Sequence, residues 1–153
     1  MNLINIAMSI ILKEITWDLI YPVWRNYLWP DRTTPIETHS AMLYMGGHDM
    51  KNFNYKCIFL GCYKNDLLVG VNSSHKCSDG SYRSRGLWVD PLHRGEGIGQ
   101  ALLRQTLEFR GNSTFVWSYP RQSSWRTYEK VGFNLTSDWQ PSETSEANAY
   151  CRF

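Results

Sequence analysis

Apolar residues change their period several times along this chain, and each change marks an element. Ile10 to Thr16 alternates as a half-buried strand does. From Trp17 to Trp29, Ile20, Val23, Trp24, Tyr27 and Leu28 recur at helical spacing, which predicts a helix ended by Pro30. Pro22 fits best in a first turn, so the regular helix is expected to start near Tyr21. Pro35 to Met45 reads as a second helix closed by Gly46-Gly47, and Cys57 to Tyr63 and Leu67 to Ser73 read as strands joined at Lys64-Asn65-Asp66. Arg83 to Asp90 is a further strand, stopped by Pro91, which has no N–H for a sheet ladder. Gly97 to Arg110 carries a narrow polar stripe of Gln100, Arg104 and Glu108. Ile98, Ala101, Leu102, Leu103, Leu107 and Phe109 cover the rest, so this helix is expected to be largely buried. Thr114 to Tyr119 is the next strand, and Gln122 to Val131 the next helix, with Gly132 suited to a left-handed cap. Phe133 to Trp139 and Ala147 to Phe153 read as a terminal pair of strands. The whole predicts one α/β domain over residues 1–153, without repeats or low-complexity linkers.

Composition narrows the classes. With 153 residues, 42% hydrophobic and 20% charged, the chain suits one hydrophobic core. A net charge of +2 gives no electrostatic case for nucleic acid or an anionic membrane. The 14% of aromatic residues, with seven Trp and nine Tyr, supplies material for core and cleft alike. The apolar stretch Leu3 to Leu12 lacks a basic head and is too short to span a membrane, so an intracellular, cytoplasmic protein is expected. Met1 to Ala7 reads as a dispensable extension, since Met8 would serve as a start. Cys57, Cys62, Cys77 and Cys151 are then expected as thiols. His75-x-Cys77 has no matching close pair elsewhere, and no metal is expected.

The chemistry concentrates in Leu87-Trp88-Val89-Asp90-Pro91-Leu92-His93-Arg94-Gly95-Glu96-Gly97-Ile98-Gly99-Gln100. A strand runs into a glycine-rich turn and then a helix. Alternating glycines leave main-chain N–H groups open at a helix N-terminus, where the unpaired donors and the helix dipole both favour phosphate. Arg94 adds a fixed positive charge, and together these features point to a diphosphate ligand. The glycine spacing is that of neither a dinucleotide fold nor a nucleoside triphosphatase loop.

The run Arg94-Gly95-Glu96-Gly97-Ile98-Gly99 resembles the acetyl-CoA signature of the GNAT superfamily of N-acetyltransferases, Arg/Gln-x-x-Gly-x-Gly/Ala. Tyr128-Glu129-Lys130-Val131-Gly132-Phe133 looks like that family's Tyr-x-Lys-x-Gly-Phe segment, and the likeness extends over Arg83 to Phe133, about a third of the chain. The resemblance implies a central mixed, mostly antiparallel sheet flanked by helices and splayed at the acetyl-CoA site. It implies acetyl transfer from acetyl-CoA to a primary amine by direct attack in a ternary complex. Main-chain groups of Trp88 and Val89, with Leu87 close by, would hold the pantetheine arm, and the diphosphate would lie on the N–H groups of Arg94, Gly95, Glu96, Gly97, Ile98, Gly99 and Gln100. Tyr128 would be the general acid to the departing thiolate, a phenol of pKa ~10 meeting a thiolate of similar basicity.

Departures from the pattern leave choices open. Arg121 and Ser124 stand where the family often has Asn and Ala; Ser124 is a candidate contact to the pantetheine or a helix cap, and Arg121 a phosphate contact or a surface charge. Arg83 stands where some members carry a glutamate base. Asp79, Asp90, Glu37 and His39 are alternative bases, as is water alone. Trp24, Tyr27, Trp29, His39, Tyr44 and His48 could wall an amine pocket or pack helices. Two other readings keep the fold. One is a nucleic-acid modification enzyme using Arg83, Arg85, Arg121 and Arg126; the other is a catalytically silent acetyl-CoA-binding module. A homodimer is compatible with all three.

Overall fold

The computed structural model describes residues 10–141 and 146–153. The proposed extension Met1 to Ala7 lies outside the described residues. Strand β1 (Ile10–Ile15) leads into helix α1 (Trp17–Val23), and a π-helical turn (Trp24–Leu28) continues it. Strands β2 (Cys57–Lys64), β3 (Leu67–Lys76) and β4 (Tyr82–Val89) follow. Helix α2 (Ile98–Glu108), strand β5 (Val116–Ser118), helix α3 (Trp125–Val131) and strands β6 (Asn134–Leu135) and β7 (Cys151–Arg152) complete the order. The sheet runs β1-β2-β3-β4-β5-β7-β6. Every neighbouring pair is antiparallel except β4–β5, which is parallel. This is the mixed, mostly antiparallel sheet that the resemblance implies. No helix among the described residues is long and apolar enough to cross a membrane.

Two expectations change. Helix α1 begins at Trp17, ahead of Pro22, whose missing N–H leaves Asp18 without its helical donor. The chain then widens: the Trp29 N–H donates to Trp24 O at 2.8 Å, a five-residue bond, and Tyr27, Leu28 and Trp29 swing toward the sheet. The helix expected over Pro35 to Met45 does not form. Its carbonyls are taken by distant side chains: Glu37 O and Thr38 O accept from Arg85 Nη1 at 2.8 and 3.5 Å, and Thr38 O also accepts from Cys57 Sγ. Met42 instead bridges to His48 across the Gly46-Gly47 turn. Asn65 and Asp66, both at positive φ, make the β2–β3 hairpin turn. Gly132 takes a left-handed cap at φ 120°. The last two strands are shorter than expected, and β7 inserts between β5 and β6.

Helices α2 and α3 cover one face of the sheet, with Leu103, Leu107, Val116, Tyr128, Val131 and Phe133 packed together. Helix α1 and the π turn cover the other, with Ile20, Val23, Trp24, Val71 and Trp88. Strand β4 contributes to both faces, and a bulge sets which residue faces which. Val71 pairs with Trp88 and Ser73 with Arg85, so Asn72 faces two residues, Gly86 and Leu87. The extra residue reverses the alternation. Tyr82 and Leu87 pack with the α2–α3 core. Arg85 lies over the Trp24 and Trp29 rings, on the α1 face that also holds Trp88. Gly86 sits at the bulge at φ +77°, and the Trp24 Nε1–H donates to its carbonyl at 3.0 Å.

Polar residues are buried in the middle of the sheet, each held by a partner. Asn72 Nδ2 donates to Ser84 Oγ and Thr106 Oγ1, both at 2.9 Å. His75 Nδ1–H donates to Lys76 O at 2.9 Å, which leaves Nε2 to accept from the Ser40 N–H at 3.4 Å. Burial lowers its pKa to about 3, with Arg83, His39 and Arg85 adding to the effect. An unfolded His75 titrates near its ordinary value, so between pH ~6.5 and ~3 the unfolded chain binds the extra proton. Stability is therefore full above pH ~6.5 and falls as the pH drops through this window. Thermal midpoints measured from pH 7 to pH 4 are expected to decline, and less steeply in His75→Gln. Parallel pH curves for the two proteins would contradict this.

Candidate functional site

The cleft forms because β4 and β5 part. They pair only at Tyr82↔Val116 and Arg83↔Trp117, and beyond that β4 runs on without β5. The Asp90 N–H donates to Val69 O at 2.8 Å on the β3 side. Main-chain groups alternate sides along a strand, so those of Val89 point into the gap, as do those of Leu87. Val89 O already accepts there from Arg94 Nε at 3.1 Å. Trp88 directs its main chain to β3 and walls the cleft with its indole, stacked on Tyr27 at 5.0 Å and 15°.

The cavity, about 470 Å³, extends from the glycine turn to the π turn of α1. At its outer end Gly95 and Gly97 both adopt φ +82°, which only glycine takes without strain. A Cβ on either would meet nothing within 4 Å, so these backbones face open space. Gly97 caps α2 with no side-chain cap bond, and the N–H groups of Ile98, Gly99 and Gln100 have no backbone acceptor among the described residues. Gly99 does something else: a Cβ there would lie 2.9 Å from Thr127 Cγ2, so it lets α2 and α3 approach. Glu96 is the one residue of the turn that does not line the cavity. Its carboxylate pairs with Lys64 and, at 3.1 Å, with His93, and the hydrogen bond from Lys64 leads in holding its pKa below the usual range.

Tyr128 lies on the cavity wall where β4 and β5 diverge. Ser118 Oγ donates to Ser84 O at 2.8 Å, and the Tyr128 hydroxyl lies 3.4 Å from Ser118 Oγ. The Ser118 hydroxyl thus has one proton for two acceptors, the Ser84 carbonyl and the Tyr128 oxygen. Tyr128 is 2% exposed, and burial pushes its phenol well above the ordinary range, with the Ser118 contact and Arg83 only partly opposing. It therefore stays protonated, so it can give a proton or a hydrogen bond in the cleft but cannot serve as a base. Ser124, at the N-cap of α3, lines the same wall and makes no side-chain cap bond.

The cavity brings together Leu87, Trp88, Val89, Arg94, Gly95, Gly97, Ile98, Gly99, Gln100, Ser124 and Tyr128. Tyr27 and Trp29 join them from the candidate amine wall, while Trp24 is buried behind Gly86. His39 and His48 line a separate depression beside Glu37, and Tyr44 packs on Phe115 and Trp117. Of the four candidate bases none lines the cavity: Asp79 caps Ser81, Asp90 caps Leu92, and Glu37 and His39 belong to the other depression. Among the described residues the cavity contains no carboxylate at all, whereas Arg83, Arg85, Arg94, Arg121 and Lys130 all reach it. Arg121 Nη2 also donates to Leu28 O, tying the π turn to the cleft.

A splayed parallel pair, a bare glycine turn capping a helix and a buried tyrosine at the divergence thus share one cavity. The model of the acetyltransferase (GNAT) domain matches residues 55–135, more than half of the chain, and the chain belongs to that family. No curated protein matches. Among solved structures, Escherichia coli ElaA is 18% identical with a TM-score of 0.68, covering 95% of this chain and 100% of its own. The ribosomal-protein-S18-alanine N-acetyltransferase of Escherichia coli is 12% identical, TM-score 0.62, covering 94% and 92%. A candidate streptothricin acetyltransferase from Bacillus anthracis, solved with acetyl coenzyme A, is 15% identical, TM-score 0.62, covering 96% and 98%. At these identities the likeness is one of fold.

Proposed function

We propose that the protein is an N-acetyltransferase that binds acetyl-CoA along the β4–β5 gap and transfers its acetyl group to a primary amine. The observation that carries this reading is the gap itself, continuous from the open N–H groups of the glycine turn to the Tyr128 hydroxyl. In this reading the N–H groups at the start of α2, with Arg94 beside them, bind the diphosphate. The main chain of Leu87 and Val89 extends the sheet onto the pantetheine arm, and Ser124 offers a hydroxyl to it. The acceptor nitrogen attacks the thioester carbonyl: a C–N bond forms and the C–S bond breaks. The Tyr128 O–H donates to the sulfur as negative charge develops there. Burial holds the phenol above an ordinary thiol, so stabilising the thiolate by a hydrogen bond is favoured over full proton transfer. The amine proton leaves to water through the open cleft, because no described carboxylate is placed to take it. The guanidinium groups of Arg83 and Arg85 favour the free amine over the ammonium ion.

Acetyl-CoA with a panel of amines, peptides and aminoglycosides, read by thiol release and product mass, tests the reading. Transfer to at least one amine class is expected. Acetyl-CoA binding without transfer to any amine would favour the silent module.

A further inference from the structure

Arg83 and Arg85 are the least expected residues of the cleft. Each is 7% exposed, and among the described residues neither meets a carboxylate; the ion pairs found there are Lys56–Glu14, Lys64–Glu96 and His93–Glu96. Two buried guanidinium groups carry up to ten N–H donors. Arg85 gives Nη1 to Glu37 O and Thr38 O, and Arg83 gives Nη1 to Ser40 Oγ. Arg83 Nε is buried with no acceptor. Aromatic faces hold both in place: Arg83 lies 4.7 Å from the Trp117 ring centroid, and Arg85 lies 5.1 Å from those of Trp24 and Trp29. Burial lowers them to about 10 and about 9, which still leaves both charged at neutral pH. Arg85 feels the Glu37 carboxylate only through space, without an ion pair; a buried charge with no ion-pair partner is costly, and two held side by side suit an anion.

The diphosphate is not that anion. Arg83 and Arg85 precede Val89 by six and four residues, so they lie roughly 13–20 Å up the strand from Val89, on the side away from the glycine turn. They flank Ser84, whose carbonyl accepts from Ser118, the neighbour of the Tyr128 hydroxyl. They are thus beside the reacting point, and Arg85 opens onto the α1 face, next to Tyr27 and Trp29.

We infer that the acceptor is a small primary amine that also carries an oxyanion, a carboxylate or a phosphate, held in the fork of Arg83 and Arg85 while its amine faces the thioester. This rests on the transferase reading above and narrows its substrate class. Planar guanidinium groups suit such an anion better than a lysine would, since they meet two oxygens at once. Polycationic acceptors such as aminoglycosides are excluded by the same charges.

Matched amine pairs that differ only in the anion test the inference: β-alanine against β-alaninamide, and O-phosphoethanolamine against ethanolamine. The anionic member of at least one pair is expected to have the higher kcat/KM by about 10- to 100-fold, and which pair shows it tells carboxylate from phosphate. Arg83→Gln and Arg85→Gln should each erase that ratio, whereas a merely structural loss would lower both members alike. Arg83→Lys and Arg85→Lys, which keep the charge but lose the fork, should recover part of it. A preference for the neutral members, or a ratio that survives both glutamine variants, overturns the inference. If no amine is acetylated, the transferase reading has failed on its own. Glutarate and inorganic phosphate, titrated by calorimetry into the protein with coenzyme A, then decide without turnover. Arginine-dependent binding of either upholds the anion site; no binding of either overturns it.

Discussion

Replacing Tyr128 by phenylalanine is expected to lower kcat by ~10²–10⁴-fold, the usual worth of a placed proton donor, while acetyl-CoA affinity changes little. The ring packs edge-on to Phe133 at 5.4 Å within the α2–α3 core, so phenylalanine keeps the helix in place. What it loses is one hydroxyl on the cavity wall, whose proposed hydrogen bond to the sulfur is made mainly in the transition state. Because burial raises the phenol, wild-type activity should not fall through loss of this proton at the pH where a free phenol ionises. Steady-state kinetics with calorimetric binding separate the outcomes. Full activity in Tyr128→Phe would assign the donor to water or the acceptor; lost binding would make the phenol a cofactor or structural contact.

The second large effect is expected at Gly86, where no ligand need be invoked. Alanine there would adopt a positive φ and place its Cβ 2.6 Å from Trp24 Nε1 and Cε2. Trp24 is fully buried, in contact with Trp17, Trp29 and Phe59, and has nowhere to withdraw. Left-handed strain and overpacking together are worth about 3–5 kcal/mol, a fall of roughly 6–20 °C in Tm for a chain of this size. The same shift would move Trp29 and Arg85, so cleft function should suffer beyond the loss of stability. An unchanged Tm in Gly86→Ala would mean that the bulge does not need glycine.

How far the sequence carried the reading depends on whether local or distant contacts decide each element. The glycine turn and α2 were legible because both are local: Gly95 and Gly97 fix the turn, and a narrow polar stripe marks the buried helix. The Asn65-Asp66 hairpin and the Gly132 cap were legible for the same reason. Residues 35–45 were not, because their carbonyls answer to Arg85 and Cys57, far along the chain. Strand β3 runs three residues past Ser73, hidden by Ser74 and His75, polar side chains that the sheet buries with partners. The bulge had a visible sign in the lone glycine of a strand, Gly86, although nothing local says that Trp24 would press on it. In the site, the glycine turn was readable from its own residues, and Tyr128 came only from the family resemblance. The candidate bases were scattered to other surfaces by the fold, and the arginines at 83 and 85 gained their meaning only from burial beside the cleft.

Calorimetric titration of acetyl-CoA into the wild type and Gly97→Glu tests whether acetyl-CoA lies along the β4–β5 gap with its diphosphate on the glycine turn. Gly97 faces open space at φ +82°, so a glutamate there both strains the turn and sets a carboxylate where the diphosphate would rest. Saturable one-site binding to the wild type is expected, and none to a folded Gly97→Glu, whose folding is checked by circular dichroism. The same dissociation constant for both proteins would contradict that placement.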